Sequence, residues 1–569
     1  MSADSSANTA RSRQLARSTL IVMIAFGVAK IISLGQTVII ASVFGVGAEW
    51  DAFVTANRIP ELIFTLISGG ALAHAFVPIF SGYLAKGDKD GAWKLATNVV
   101  NLVFITTATV SFIVFLSADW LVANVAAPGF DAQTQAQAAE LMRILLIGTL
   151  IFSVSGLVMG ILNSHNHFLL PALAPIMFDV GILIGVVFLM PIFGVRGIAI
   201  GAVLGAGMHF GIQVPGLIHF RAKWKLHINL RDPILWRVVR LMLPRVAGLG
   251  VFSLNFLAMN NIASRLGTGA VSALDWGWRL MQIPQTLIGT AMGIVIFPTL
   301  AAYSELGDEN GKRGAMSGAL RFILVASIPS AVGLIFVGRP IISLLERGAF
   351  DASASELVYT TLRFFALGMI AHSALEVVAR SFYADKDTLT PLWAALIGAG
   401  INFVGAIYFS NVAYAQTFGI QTTFIASFDL PYALDFRRAF GNPSGLALAN
   451  TIATTVEVGI LILVLRKRWH GIHENVLAQS VMKALFASLV MAAVIVAVNF
   501  GWNLLGLGDR GLIFTVAQVA IEAGIGAIVF FVVAWMVKME ELRLLLAVSY
   551  THLRAHETKA NLVCRLLLE

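Results

Sequence analysis

A single cysteine, Cys564, stands in 569 residues, so no disulfide framework and no thiolate metal site can be built. Charge is scarce as well. Only 12% of the residues are Asp, Glu, Lys or Arg, about half the share of an ordinary soluble domain. No zinc-type His-Glu-x-x-His, P-loop or paired-aspartate cluster occurs, which leaves the metal-ligand set at none and removes the usual signatures of hydrolysis and phosphoryl transfer. Large polar loops are few, whereas a multi-pass glycosyl- or phosphotransferase needs them to hold metal and diphosphate. The short in-and-out alternation of barrel strands is missing too: Val458 to Leu465 and Ile525 to Met536 are apolar all round.

What is present is apolar bulk. The chain is 58% hydrophobic with a mean hydropathy of +0.83, which places it in the membrane class. A helix crossing the hydrocarbon core needs about 20 mostly apolar residues. Such segments are expected near residues 18–46, 51–83, 92–118, 134–163, 168–192, 196–220, 235–264, 270–303, 314–344, 355–384, 389–412, 443–465, 476–501 and 512–537. The first follows Arg11, Arg13 and Arg17 and is too long, without a small-residue cleavage site, for a signal peptide. The expected fold is an all-α membrane protein of about fourteen transmembrane helices.

The net charge of +8 resides in short loops rather than on one folded face, which argues against a nucleic-acid partner and for a topology signal. With the N-terminus in the cytoplasm, seventeen basic residues fall in loops on that side: Arg11, Arg13, Arg17, Lys86, Lys89, Lys94, Arg221, Lys223, Lys225, Arg231, Lys312, Arg313, Lys386, Arg466, Lys467, Arg468 and Lys538. Six fall on the other: Arg196, Arg265, Arg347, Arg437, Arg438 and Arg510. That bias obeys the positive-inside rule and orients the chain in an inner membrane.

The chain also repeats itself. At an offset of 220, Pro78, Tyr83, Gly87, Asp88, Gly91, Phe130, Asp131 and Pro171 match Pro298, Tyr303, Gly307, Asp308, Gly311, Phe350, Asp351 and Pro391. At 222, Ala41, Ser42, Gly45, Gly47 and Ala48 match Ala263, Ser264, Gly267, Gly269 and Ala270. Each copy spans six segments, and an even number returns the second copy in the same orientation. Two parallel six-helix pseudo-repeats plus a C-terminal helix pair follow, an arrangement typical of alternating-access transporters.

The division expected is a cytoplasmic N-terminal segment at 1–17, an N-lobe at 18–220, a basic cytoplasmic linker at 221–234, a C-lobe at 235–465 with a long external loop at 413–441, and the final pair at 476–537. The loop would carry a short interfacial helix. From Ser549 to Thr558 the sequence resembles a translated sequencing adapter, so 549–569 is expected to be non-native.

Several motifs carry a resemblance. Arg347, Gly348, Ala349, Phe350 and the run Ser381, Phe382, Tyr383, Ala384, Asp385, Lys386, Asp387, Thr388, Leu389, Thr390, Pro391 stand in the second repeat. Phe44, Gly45, Val46, Gly47 with Asp51, Ala52, Phe53; Ala75, Phe76, Val77, Pro78; and Pro171, Ala172, Leu173, Ala174, Pro175, Ile176 stand in the first. Together, over about residues 20 to 540, they resemble the MurJ (MviN) family of lipid II flippases within the multidrug/oligosaccharidyl-lipid/polysaccharide exporter superfamily. The resemblance implies export of an undecaprenyl-diphosphate-linked peptidoglycan precursor from the inner to the outer leaflet, a groove for the lipid tail along the last two helices, and no catalytic residues. Expected partners are lipid II, membrane lipids and the cell-wall synthesis machinery. No cofactor is expected, with coupling to membrane potential or a monovalent cation.

A diphosphate headgroup cannot cross hydrocarbon unaided, so cations must face a polar cavity. The substrate-binding candidates are Arg279, Lys30, Arg58 and Gln36; Asp51, Glu61, His74 and Asp275 are candidate counter-charges or coupling groups. Arg279 falls on the family's C-lobe cavity arginine and Lys30 on the first arginine of its first helix. The second arginine of that helix is Gln36 here, beside Thr37, and the second helix's arginine is Phe64, with Gly69 and Gly70 in place of a Glu-Gly pair. Asp179, Glu376, Glu457 and Glu522 are intramembrane carboxylates and candidate ion sites. Three readings remain beside lipid II transport: export of another lipid-linked oligosaccharide, export of an amphipathic cation, or a non-transporting membrane scaffold on the same fold.

Overall fold

The computed structural model describes residues 32–67, 70–165, 167–225, 228–410, 442–506 and 511–541, without the side chains of 70–74, 244 and 245. Among these residues the regular structure is all helix, with no strand. The helices are α1 (Ile32–Phe44), α2 (Ala48–Ile67), α3 (Gly70–Ala85), α4 (Lys89–Leu116), α5 (Ala132–Ser164), α6 (Leu169–Phe193), α7 (Arg196–His219) and α8 (Pro233–Ala263). They continue with α9 (Ala270–Leu306), α10 (Glu309–Phe336), α11 (Ala352–Ala384), α12 (Leu389–Ser410), α13 (Pro443–Arg468), α14 (Glu474–Leu504) and α15 (Leu512–Met536).

Twelve of the described helices are long and apolar enough to cross a membrane, and Ile32–Phe44 and Ala75–Ala85 are shorter apolar helices. This is a multi-pass membrane protein. The expected count of fourteen rests on the first two segments. The first is described only from residue 32, and the second in two pieces on either side of residues 68–69. The 413–441 loop with its expected interfacial helix, the 1–17 segment and the 549–569 tail lie outside the described residues.

The repeat has a local cause. Gly87 and Gly307, both at positive φ, each close a turn before an aspartate, and Asp88 and Asp308 each accept the N–H three residues on, from Gly91 and Gly311. That cap starts α4 and α10, each 28 residues long. Asp131 and Asp351 then cap α5 and α11, each 33 residues long. The hydrogen bonds that Asp131 receives from Thr134 and Asp351 from Ala354 hold both carboxyls below the usual aspartate range.

The two copies also meet reciprocally. The Ala349 N–H donates to the Ser42 carbonyl at 2.8 Å, and the Gly129 N–H donates to Ser264 Oγ at 3.1 Å. Ser42 matches Ser264 and Gly129 matches Ala349 in the repeat, so each lobe grips the other with the same surface, as a two-fold rotation requires. The main apolar core forms here, with Phe44, Trp50 and Phe53 from one copy and Trp276, Phe350 and Phe365 from the other.

The final pair stands apart. Ala484, Ala487 and Met491 of α14 and Phe530 and Ala534 of α15 pack on Val325 and Ile328 of α10. Arg321 fastens the pair through Ser480, Glu540 and Glu541. Among the described residues, the pair's apolar cluster is shared with the C-lobe alone.

Candidate functional site: a charged cavity between the lobes

α2 and α9 both begin at the reciprocal lobe contact and run side by side into the bundle. Arg58 lies ten residues into α2 and Arg279 nine into α9, which puts both ~14 Å from the α1–α2 end at 1.5 Å per residue, about halfway through a hydrocarbon core. They line a cavity of about 270 Å³ between α2, α8 and α9, with Asn57, Glu61, Ser253, Asp275 and Gln282 as its other polar residues and Phe53, Phe252, Phe256 and Trp278 among its apolar walls.

One carboxylate holds both arginines. Asp275 Oδ2 accepts from Arg279 Nε at 2.6 Å, and Asp275 Oδ1 lies 3.5 Å from Arg58 Nη2 of the other lobe. The Asp275 side chain is only 7% exposed, whereas that of Arg279 is 49% exposed. Arg58 also stacks against Phe256, 5.6 Å from the ring centre, and its buried Nε has no hydrogen-bond partner among the described residues. Arg279 stands 5.9 Å from the Trp50 ring. Glu61 is 4.0 Å from Arg58 and 56% exposed. The contact of Arg58 with Glu61, three residues on in the same helix, is thus the looser one, because a helix neighbour at i+3 competes with a buried carboxylate from the facing helix.

The other candidates divide. Asp51 is not in the cavity: its buried carboxylate receives hydrogen bonds from the Gly269 N–H, the Ser272 N–H and Ser272 Oγ, so it caps α9 from the opposite lobe. Gln36 is buried in α1 and does not line the cavity. Lys30 and the His74 side chain lie outside the described residues. Phe64 does not line the cavity either; it packs edge-on against Phe152, whose ring also meets Phe178 and His209.

Of the intramembrane carboxylates, Glu376 pairs with Arg380 and accepts from Thr290, and Glu522 accepts from Asn499 and Gln518. Glu457 lies against Gly398 of α12. No group of three or more His, Cys, Asp or Glu able to hold a metal occurs among the described residues.

Sequence reasoning missed Asn57, Ser253, Gln282 and the aromatic walls. The signal was there: Val54, Arg58 and Glu61, and Asp275, Trp278, Arg279 and Gln282, follow the three-to-four spacing of one helix face. It also missed His372, which stands edge-on behind Trp278 at 5.2 Å and bonds Asn450 at 3.0 Å.

The family model described as "Lipid II flippase MurJ" matches residues 40–508. The chain belongs to the MurJ lipid II flippase family. It is 28% identical over 489 residues to the lipid II flippase MurJ of Burkholderia cenocepacia, covering 83% of this chain and 88% of that one. It is likewise 28% identical over 518 residues to the probable lipid II flippase MurJ of Rhizobium tropici, covering 89% and 91%. Among solved structures, a lipid II flippase MurJ in an inward closed conformation superposes with a TM-score of 0.71 at 23% identity, covering 91% of this chain and 98% of that one. An inward-facing multidrug resistance MATE transporter of the MOP superfamily gives 0.64 at 17%, covering 78% and 96%.

Of the MurJ-like motif residues, Phe53 lines the cavity, while the Phe44–Gly47, Arg347–Phe350 and Ser381–Pro391 runs fall on the two ends of the bundle. Gly45 and Asp51 sit at the lobe contact with Ala349 and Phe350. The Ser381–Pro391 run is a clasp at the opposite end. Asp385 binds Lys312 Nζ at 2.5 Å and Ser304 Oγ at 2.7 Å, joining α9, α10 and α11. Asp387 caps α12 through the N–H of Leu389 and Thr390 and holds Arg468 of α13 at 2.7 Å.

Proposed function

We propose that this chain carries lipid II from the inner to the outer leaflet of the cytoplasmic membrane by alternating access. The observation that supports the reading is the convergence of Arg58 and Arg279, one from each lobe, on a polar cavity at mid-membrane depth, in a member of the MurJ family. Arginines suit a diphosphate because the guanidinium fork can take two oxygens at once. The lipid tail stays in hydrocarbon, along the groove of α14 and α15.

The positive-inside bias supports a cytoplasmic N-terminus, which makes the reciprocal lobe contact the external seal and the cavity a chamber below it. Driving energy comes from membrane potential or a monovalent cation, and delivery is to the cell-wall synthesis machinery outside. Two arginines against Asp275 and Glu61 give a cavity without the net acidity that an amphipathic-cation exporter would want. Complementation of a flippase-depleted bacterium tests the reading: the chain should restore growth and lipid II exposure in the outer leaflet, and growth without that exposure would point to another lipid-linked oligosaccharide.

A further inference from the structure

We infer that Asp275 is a built-in stand-in for the cargo's anion, and that its displacement makes the cavity select a diphosphate over a monophosphate. The inference rests on the transport reading above and deepens it. Three facts carry it. Asp275 gives one oxygen to each arginine, Oδ2 to Arg279 and Oδ1 to Arg58, so a single anion bridges the two lobes. Its side chain is 7% exposed, against 49% for Arg279, so the carboxylate is fixed in the wall while Arg279 borders open space. Both arginines line the same cavity.

An incoming anion must take both arginines from Asp275, whose single carboxylate already reaches each of them, so it has to bring more charge than the carboxylate it displaces. The buried carboxylate then loses its compensation, which makes the exchange unfavourable for an anion of low charge. A diphosphate has two charged groups separated by a bridging oxygen, so it can engage Arg279 and Arg58 together and offset the loss. The same exchange removes an ionic tie between α2 and α9 that lies one turn beyond the Asp51–Ser272 cap on α9 and about two turns beyond it on α2, so binding of the correct headgroup loosens the seal that must open for release. The carboxylate thereby sets a charge threshold and couples it to lobe separation.

The test uses the purified full-length chain in lipid nanodiscs, titrated calorimetrically with inorganic pyrophosphate and with orthophosphate. The native protein should bind pyrophosphate and discriminate against orthophosphate. Asp275→Asn keeps the side chain's shape and removes the competing charge. Pyrophosphate should then bind at least ~10-fold tighter, a change of about 1.4 kcal/mol by the affinity relation, and orthophosphate should bind measurably. Adding Arg279→Ala to Asp275→Asn should abolish the gain. Unchanged or weaker pyrophosphate binding by Asp275→Asn, with native thermal unfolding, overturns the inference. So does unchanged discrimination against orthophosphate. Lipid II flipping by the same protein in vesicles is scored separately: flipping without the pyrophosphate effect rejects the inference and keeps the transport reading, while the pyrophosphate effect without flipping keeps the inference and rejects lipid II as cargo.

Discussion

The Asp51 carboxylate of α2 caps the first turn of α9 through Ser272, receiving its N–H at 2.7 Å and its Oγ at 2.6 Å, with the Gly269 N–H at 2.6 Å as a third donor. A cap normally belongs to its own helix. Here it belongs to the other lobe, so helix initiation and lobe closure are one interaction.

Asp51→Ala should therefore act on the seal. Three buried donors lose their acceptor, at a cost of about 3 kcal/mol. With Cys564→Ser removing the native thiol and Asn57→Cys reporting from the cavity, labelling by a membrane-impermeant thiol reagent added outside should rise several-fold over the same reporter with Asp51 intact. Equal labelling would show that the cap does not hold the lobes together.

Two glycines separate crowding from backbone strain. Gly45 has φ +58° and a Cβ there would overlap the Ala349 carbonyl of the facing lobe; Gly87 has φ +76° and nothing within 4 Å. Gly87→Ala should cost about 1 kcal/mol, the left-handed penalty alone. Gly45→Ala should cost about 2 to 4 kcal/mol, because overpacking adds to that penalty. Thermal unfolding of the two purified variants measures the difference, and equal shifts would deny the close lobe approach.

The Asp385 clasp predicts a coupled pair. The Lys312 side chain is 8% exposed and its ammonium also lies 5.1 Å from the Trp469 ring. Lys312→Met or Asp385→Asn alone should destabilise by about 2 kcal/mol, since each removes the opposite charge that compensates its partner, whereas the double variant should lose less than the sum. Additive losses in a double-mutant cycle would show that the pair is not a unit.

How far the sequence went depends on the kind of signal. The repeat, the helix pair outside the lobes and the apolar segments were legible because they are written as local patterns: Gly87-Asp88 against Gly307-Asp308, Asp131 against Asp351, and long apolar runs between basic loops. Arg279 was legible by resemblance, and Asp275 only as one of four candidate counter-charges. The Arg58–Asp275 contact was not, because it joins two helices 217 positions apart and no local spacing encodes it. Asp51 looked like a counter-charge for the same reason: its role is fixed by the backbone of Gly269 and Ser272, which only the folded lobe contact brings near.

The most direct test of the account is lipid II exposure in the outer leaflet of a flippase-depleted strain carrying Arg279→Ala at matched protein level. The variant should fold and reach the membrane yet flip no lipid II, and Arg279→Lys should restore flipping only in part, since the charge returns without the bidentate fork. Normal flipping by Arg279→Ala would contradict the cationic-cavity mechanism.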